Sequence, residues 1–118
     1  RRFRTGTLNS VGVAALHAAL GLYLEAGPRR CEGRVLDLST TLADELTARG
    51  LSRYGTDAPA HASGIVTVGP DNPEALFSHL NEHGITGALR NRKLRLAPTY
   101  YNDASDLGAI LDAVDSFR

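Results

Sequence analysis

Cysteine is nearly absent from this chain, since Cys31 is the only one among 118 residues. A single thiol cannot form an internal disulfide, and one thiol is too few for a structural zinc site. Such scarcity fits a reducing compartment, so we expect a cytoplasmic protein in which Cys31 is a small, buried, apolar side chain.

An excess of charge of one sign is also missing, because thirteen basic residues balance thirteen acidic ones. Twelve of the basic residues are arginines, and only Arg1-Arg2-Phe3-Arg4 forms a dense basic group. Nucleic acids bind to basic faces that displace counterions, so we expect no nucleic-acid partner. No apolar run reaches the roughly 20 residues of a membrane span, and the first residues lack the apolar run of a signal peptide. We therefore expect a soluble chain with no membrane partner.

Capping residues, helix breakers and apolar spacing predict eight secondary-structure elements in a single domain, 1–118. Helices are predicted at 11–26, from Pro28 to a stop at Gly50, from Pro73 to a stop at Gly84, and after a cap at Asn102. Strands are predicted at 51–54, 64–68, 85–89 and 93–97, with a hairpin turn at 90–92. This order predicts an α+β two-layer sandwich, in which a small, mainly antiparallel sheet packs against helices.

The first predicted helix is apolar on nearly every side. Between Val11 and Leu24 there is no Asp, Glu, Lys or Arg, and His17 is the only histidine. A helix at the surface of a two-layer domain normally carries a wide polar face. We therefore predict a covering surface outside this sequence, either more of the same chain or another subunit. His17 is either a hydrogen-bonded core histidine or a general base, and the former is the more common role on an apolar helix.

The segment Arg95-Leu-Ala-Pro-Thr-Tyr-Tyr-Asn102 places one arginine inside an apolar strand. Because side chains alternate along a strand, Leu94 and Leu96 face one side and Arg95 faces the other. A guanidinium offers a rigid fork of donors that matches a carboxylate or a phosphate. The spacing alone leaves two interpretations open: an anion site, or a guanidinium that reaches solvent or pairs with a nearby aspartate.

The remaining candidates for chemistry are weaker, and we predict no catalytic residue and no metal site. His79 and His83 are one helical turn apart, but only Glu82 accompanies them, so a solvated helix end is the ordinary interpretation. Lys93 is the only lysine, and we expect its ammonium group to be solvated, since nothing indicates the burial that a Schiff base needs. Gly6-Thr7 before a helix start is a weak signal for a phosphate site.

Three segments together resemble the carboxy-terminal small domain of class V aminotransferases, a family that includes cysteine desulfurases and isopenicillin-N-epimerase-like enzymes. The first is Arg2-Phe-Arg-Thr-Gly-Thr-Leu-Asn9 with the alanine-rich stretch 14–20. The second is Ser63-Gly-Ile-Val-Thr67 followed by Leu80-Asn-Glu-His-Gly-Ile85. The third is Leu89 to Asn102, which is similar to the family's closing motif of an arginine, often a proline, and Tyr-Asn.

The resemblance implies a role for each of the two weak sites. Arg95 would bind the α-carboxylate of an amino-acid or keto-acid substrate, and Thr7 would reach the phosphate of pyridoxal phosphate, commonly that of the neighbouring subunit in a homodimer. The family's Schiff-base lysine and its cofactor-binding aspartate belong to a large domain that is absent here. The resemblance therefore implies that this fragment is inactive alone, whereas the whole enzyme would carry out transamination, epimerisation or elimination.

Two departures from the family pattern restrict the chemistry. One group of desulfurases carries its persulfide cysteine in the loop before the arginine motif, whereas here that loop is Arg90-Asn-Arg92. A serine that often follows the arginine motif is replaced by Ala97. The missing thiol argues against that desulfurase chemistry, and Ala97 removes a possible hydroxyl contact. A different class of function also stays open, namely a non-catalytic α+β interaction or ligand-sensing module that docks through the apolar first helix.

Overall fold

The structure, a computed structural model, describes residue 6 and the ranges 8–56 and 58–117. The chain divides into two compact units, Arg1–Cys31 and Glu32–Arg118. The helices are α1 (Ser10–Ala26), α2 (Pro28–Ala48), α3 (Pro73–Glu82) and α4 (Ala104–Ser116). The strands are β1 (Ser52–Tyr54), β2 (Val66–Gly69), β3 (Ala88–Arg90) and β4 (Lys93–Leu96), with a short 3₁₀ helix at Pro59–His61. The predicted order of helices and strands is confirmed.

Helix α1 dominates the described part of the first unit. Asn9 caps its amino end, because the Asn9 side chain accepts a hydrogen bond of 2.9 Å from the backbone amide of Gly12. Gly27, at a positive φ of 88°, ends it. No residue of α1 is buried, and its apolar side chains include Val11 at 80% and Leu22 at 67% exposure. His17 is exposed too, so within the described chain it is not part of the core.

The second unit is the predicted α+β sandwich. Its four strands form one antiparallel sheet in the order β1-β2-β4-β3, so β2 and β4 are the inner strands. One face of the sheet contributes alternate residues to the core, which are Val66, Val68, Leu94 and Leu96. Helices α2, α3 and α4 supply the rest of that single cluster, apart from Leu51 in the connection between α2 and β1. Since all three helices share one core with one sheet face, that face is the covered face, and we call the other the open face.

Helix ends are formed as the glycines predicted. Helix α2 stops where Gly50 takes a positive φ of 82°, and the amide of Leu51 then bonds back to the carbonyl of Leu46 at 3.1 Å. This is the left-handed glycine cap that satisfies carbonyls at a helix end. Asn72 caps α3 through the amide of Ala75, and Gly84 follows its end with a φ of 75°.

Several predicted boundaries differ from the structure, including the strand predicted at 64–68, which is Val66–Gly69, and the strand predicted at 93–97, which ends at Leu96. The strand predicted at 85–89 begins only at Ala88, because the amide of Ile85 bonds to the carbonyl of Leu80 and remains part of the turn after α3. Arg90 belongs to β3, so the hairpin turn consists of Asn91 and Arg92 alone. The cap of α4 is Asp103 and not Asn102.

Within the described residues, no single helix has both the length and the apolar composition to cross a membrane. Only α1 and α2 together, as a bent pair, reach that length and composition.

Candidate functional site

Arg95 lies in the middle of β4 and points to the open face. Its neighbours Leu94 and Leu96 are buried at 0% and 2% exposure, whereas Arg95 is exposed, so the alternation predicted from the sequence is confirmed. The flanking positions in the sheet are Thr67 on β2 and Ala88 on β3. Among the residues that the structure describes, no carboxylate pairs with Arg95. The guanidinium therefore retains its full set of donors for a ligand.

A second cation on the same face is held by an aromatic ring. The Lys93 Nζ atom lies 4.4 Å from the centroid of the Tyr54 ring, which is within the range of a cation–π interaction. The Tyr54 ring itself lies across Gly69, where a Cβ atom would be only 2.6 Å from Tyr54 Cε2. Lys93 is half-buried as a residue, and its ammonium group contacts the Tyr54 ring, a contact that the sequence did not predict.

The turn that joins β3 to β4 is the shortest kind of hairpin connection. Asn91 and Arg92 both have positive φ, at 48° and 57°, as in a type I′ turn. Arg92 of this turn forms an exposed ion pair with Glu74, in which Arg92 Nη1 lies 3.3 Å from Glu74 Oε1. The turn carries no thiol, and Cys31 is buried in α2 at 4% exposure, as the sequence predicted.

The segment that follows Arg95 is fixed by a network at the start of α4. The amide of Thr99 donates to Asn102 Oδ1 at 2.9 Å, and Asn102 Nδ2 donates to Asp106 Oδ2 at 2.9 Å. Asn102 thus closes the turn before the helix. Asp103 is extended and accepts from the amides of Ser105 and Asp106, which makes it the cap. Sequence reasoning placed the cap one residue early because Asn and Asp are both good caps.

Electrostatics reinforce this helix start. Hydrogen bonds from the Ser105 side chain, then from the backbone amides of Ser105 and Asp106, hold the pKa of Asp103 below its usual value of 3.8.

At the other end of α4, Arg49 bonds to Glu45 and to Asp115, and these carboxylates raise the pKa of its guanidinium. Arg49 is thereby committed to the scaffold and is not a candidate for ligand binding.

The histidines are part of the scaffold or exposed. His79 Nε2 lies 3.0 Å from the carbonyl oxygen of Ala113 and 3.1 Å from Ser116 Oγ, so His79 links α3 to the end of α4. His83 Nδ1 lies 2.8 Å from the carbonyl oxygen of His79. The ordinary interpretation of a solvated helix end thus fits His83, which is exposed, but not the half-buried His79. The described residues contain no group of three or more potential metal ligands.

A cleft of about 290 Å³ adjoins the candidate site between α2, β1 and β2. Tyr54 and Thr67 line both the cleft and the open face. The Ser39 hydroxyl on its α2 side bonds to the carbonyls of Leu36 and Ser63, so it serves the fold. A second cleft of about 410 Å³ lies between the end of α3, the exit of β4 and the start of α4.

Thr7, the residue predicted to bind the cofactor phosphate, lies outside the described residues. Of the two predicted site residues, the structure therefore places Arg95 alone. Sequence reasoning missed the contact between Tyr54 and Lys93. The contact between Tyr54 and Lys93 depends on strand order and register, because β1 and β4 are both neighbours of β2 but not of each other. No local sequence pattern indicates it.

This fold is that of an aminotransferase-type small domain, and parts of several solved enzyme structures have the same fold. A cysteine desulfurase from Thermococcus onnurineus NA1 matches 98% of this chain and 32% of its own, with a TM-score of 0.89 and 19% identity. The cysteine desulfurase CsdA from Escherichia coli matches the same shares with a TM-score of 0.85 and 23% identity. Glycine decarboxylase (P-protein) of the glycine cleavage system matches 98% of this chain and 28% of its own, with a TM-score of 0.72 and 21% identity.

This chain spans about a third, or less, of the length of each of these structures. At such identities the likeness establishes the fold and not the activity. No protein-family model matches the sequence, and no curated protein matches it.

Proposed function

We propose that this chain is the carboxy-terminal small domain of a longer, class V aminotransferase-like enzyme that uses pyridoxal phosphate and acts on an amino acid or keto acid. Two findings support this proposal. The whole described fold is similar to one part of much longer enzymes. In addition, α1 exposes apolar side chains along its entire length, as expected of a helix that another domain covers.

The observation that carries the proposed role is the state of Arg95. Its guanidinium stands on the open face of a rigid strand, with buried leucines on either side and no carboxylate partner among the described residues. A strand holds a side chain more precisely than a loop does. Arg95 would therefore bind and orient the substrate α-carboxylate by two parallel charge-assisted hydrogen bonds.

The donors on the open face suit a substrate acid rather than a cofactor ring. Pyridoxal phosphate, held mainly by the absent domain and with Thr7 as a further phosphate ligand, would supply the electron sink for bond breaking at the substrate α-carbon. Lys93, the only lysine, lies over Tyr54 and is not assigned the Schiff base. We assign to this chain the binding and orientation of the substrate, and no proton transfer.

The hairpin before Arg95 bears on the type of reaction. A two-residue turn with both φ angles positive is a tight connection, and it contains no thiol. A persulfide cysteine delivered from this position is thus excluded from the proposal. Desulfurases and a glycine decarboxylase share the fold, so the fold does not fix the type of reaction. On the resemblance, we propose transamination, epimerisation or elimination. We propose a homodimer in the cytoplasm, on the resemblance and the cysteine content.

The test is kinetic and uses the full-length enzyme. Arg95→Gln removes the charged fork, and a lost hydrogen bond to a charged group costs roughly 1.5–3 kcal/mol. We expect kcat/KM for the amino-acid substrate to fall about 10-fold to 150-fold. Arg92→Gln, which removes an exposed arginine three residues away, is the matched control and should leave kcat/KM unchanged. Equal kinetics for Arg95→Gln and the parent enzyme would remove Arg95 from the site.

The alternative, a non-catalytic module that docks through α1, draws on the same exposed helix. The two proposals differ in the longer chain. The purified full-length protein should bind pyridoxal phosphate and absorb in the visible range, whereas a module without a cofactor-binding domain should not.

A further inference from the structure

The open face carries cations with no acidic side chain beside them. By strand alternation and register, its residues are Ser52, Tyr54, Thr67, Gly69, Ala88, Arg90, Lys93 and Arg95. Arg90 lies directly opposite Lys93 on the neighbouring strand. Like charges in that position destabilise a sheet. None of the described ion pairs neutralises Arg90, Lys93 or Arg95. A bound anion would offset the repulsion between these cations.

Lys93 is held in place without being neutralised. Its ammonium group sits 4.4 Å from the centre of the Tyr54 ring, and the ring is in turn seated on Gly69. An aromatic ring attracts a cation through its quadrupole but has no net charge to cancel. Lys93 therefore keeps its positive charge, and part of the entropy cost of ordering a long lysine side chain is already met before a ligand arrives.

The Lys93 site and Arg95 are neighbours on one strand. Two positions along a strand span roughly 7 Å, and both side chains leave the same face. The side chain of Lys93 extends from β4 toward β1, where the half-exposed Tyr54 adds a hydroxyl donor. A small molecule with two acid groups requires two cations on one face, and Lys93 and Arg95 provide them.

We propose that Lys93 and Tyr54 form a second acid subsite, so that the substrate is an amino or keto acid with an acidic side chain. The inference rests on the proposed function, in which Arg95 binds the α-carboxylate. Lys93 Nζ would bind the side-chain acid, the Tyr54 hydroxyl would donate to it, and Arg90 would strengthen the positive potential. Lys93 is then the residue that selects acidic substrates over neutral ones of the same shape.

Isosteric ligand pairs test this selectivity in the full-length enzyme. Isothermal titration with L-glutamate against L-glutamine, and with L-aspartate against L-asparagine, compares an acid with its neutral amide. In at least one pair we expect the acid to bind about tenfold or more tightly than the amide. Lys93→Gln should abolish that preference and leave amide binding unchanged, whereas Lys93→Arg should keep it. Arg92→Gln is again the control and should change neither affinity.

The same titrations separate this inference from the proposed function. Arg95→Gln should weaken the acid and the amide alike, since both carry the α-carboxylate. Absence of an acid preference in both pairs, or an equal loss for acid and amide in Lys93→Gln, overturns the second subsite while Arg95 retains its role. If Arg95→Gln leaves every affinity unchanged, the proposed function fails and the subsite fails with it. Circular dichroism of each variant checks that the fold is intact.

Discussion

Replacing leucine by alanine at one core position and one exposed position should show which of the two side chains is packed in this chain. Leu42 of α2 is 0% exposed and belongs to the core that joins the sheet to three helices. Leu16 of α1 is 59% exposed. The two substitutions delete the same atoms, so the difference in the free energy of unfolding reports the packing around each site.

The structure sets the magnitudes. Leu→Ala in a packed core costs about 2–5 kcal/mol through lost burial and the cavity that remains. For a unit of this size, Leu42→Ala should lower Tm by at least about 8 °C. Leu16→Ala in the 118-residue chain should change the free energy of unfolding by no more than about 0.5 kcal/mol, as at other surface sites.

The full-length enzyme should reverse the second result. If the absent domain covers α1, Leu16 becomes a core residue there, and Leu16→Ala should cost about 2–5 kcal/mol. Urea unfolding followed by circular dichroism measures both substitutions in both chains, and a series of protein concentrations detects self-association through α1. A Leu16→Ala variant as stable as its parent in the longer protein would refute the reasoning that a missing domain packs on α1.

Two further predictions concern the hairpin and the start of α4. Arg92→Gly should raise the free energy of unfolding by about 1 kcal/mol, because glycine adopts the positive φ of 57° without steric cost. This value allows for the loss of the weak, exposed ion pair between Arg92 and Glu74. The control Arg92→Gln loses the same ion pair and keeps the strained φ, so it should not be more stable than the parent protein. The pKa of Asp103 is depressed in the folded chain, so its contribution is present above the unfolded pKa near 3.8 and disappears as pH falls through the folded value. Asp103→Ala should therefore destabilise the protein at neutral pH and much less in strong acid, as urea unfolding at a series of pH values would measure. A pH-independent loss for Asp103→Ala would contradict the capping argument.

The site was predictable as far as local periodicity reaches. Alternation of Leu94, Arg95 and Leu96 sufficed to place the guanidinium opposite the core, because neighbouring side chains of a strand leave opposite faces. The fold class followed from the order of helices and strands and from the glycines that end them. The covering surface predicted for α1 stays a prediction, since no residue of that helix is buried in the described chain.

Other features depended on residues distant in sequence. Asn102 and Asp103 are both suitable helix caps, and the choice between them came from the turn that Asn102 closes with Thr99. His79 looked like an ordinary histidine near a helix end, yet the end of α4 supplies its hydrogen-bond partners. A single sequence does not show which elements distant along the chain come into contact, so these hydrogen bonds could not be predicted from it.

By itself the sequence determined the α+β layout, the helix stops and the face on which Arg95 stands, because caps, breakers and side-chain alternation act over only a few residues. Only the tertiary structure decided that β1 and β4 both flank β2, which brings Tyr54 of one strand under the ammonium group of Lys93 on the other. The physical reason is that strand register and order are set by the shared core beneath the sheet, where Val66, Val68 and the two leucines of β4 pack against three helices.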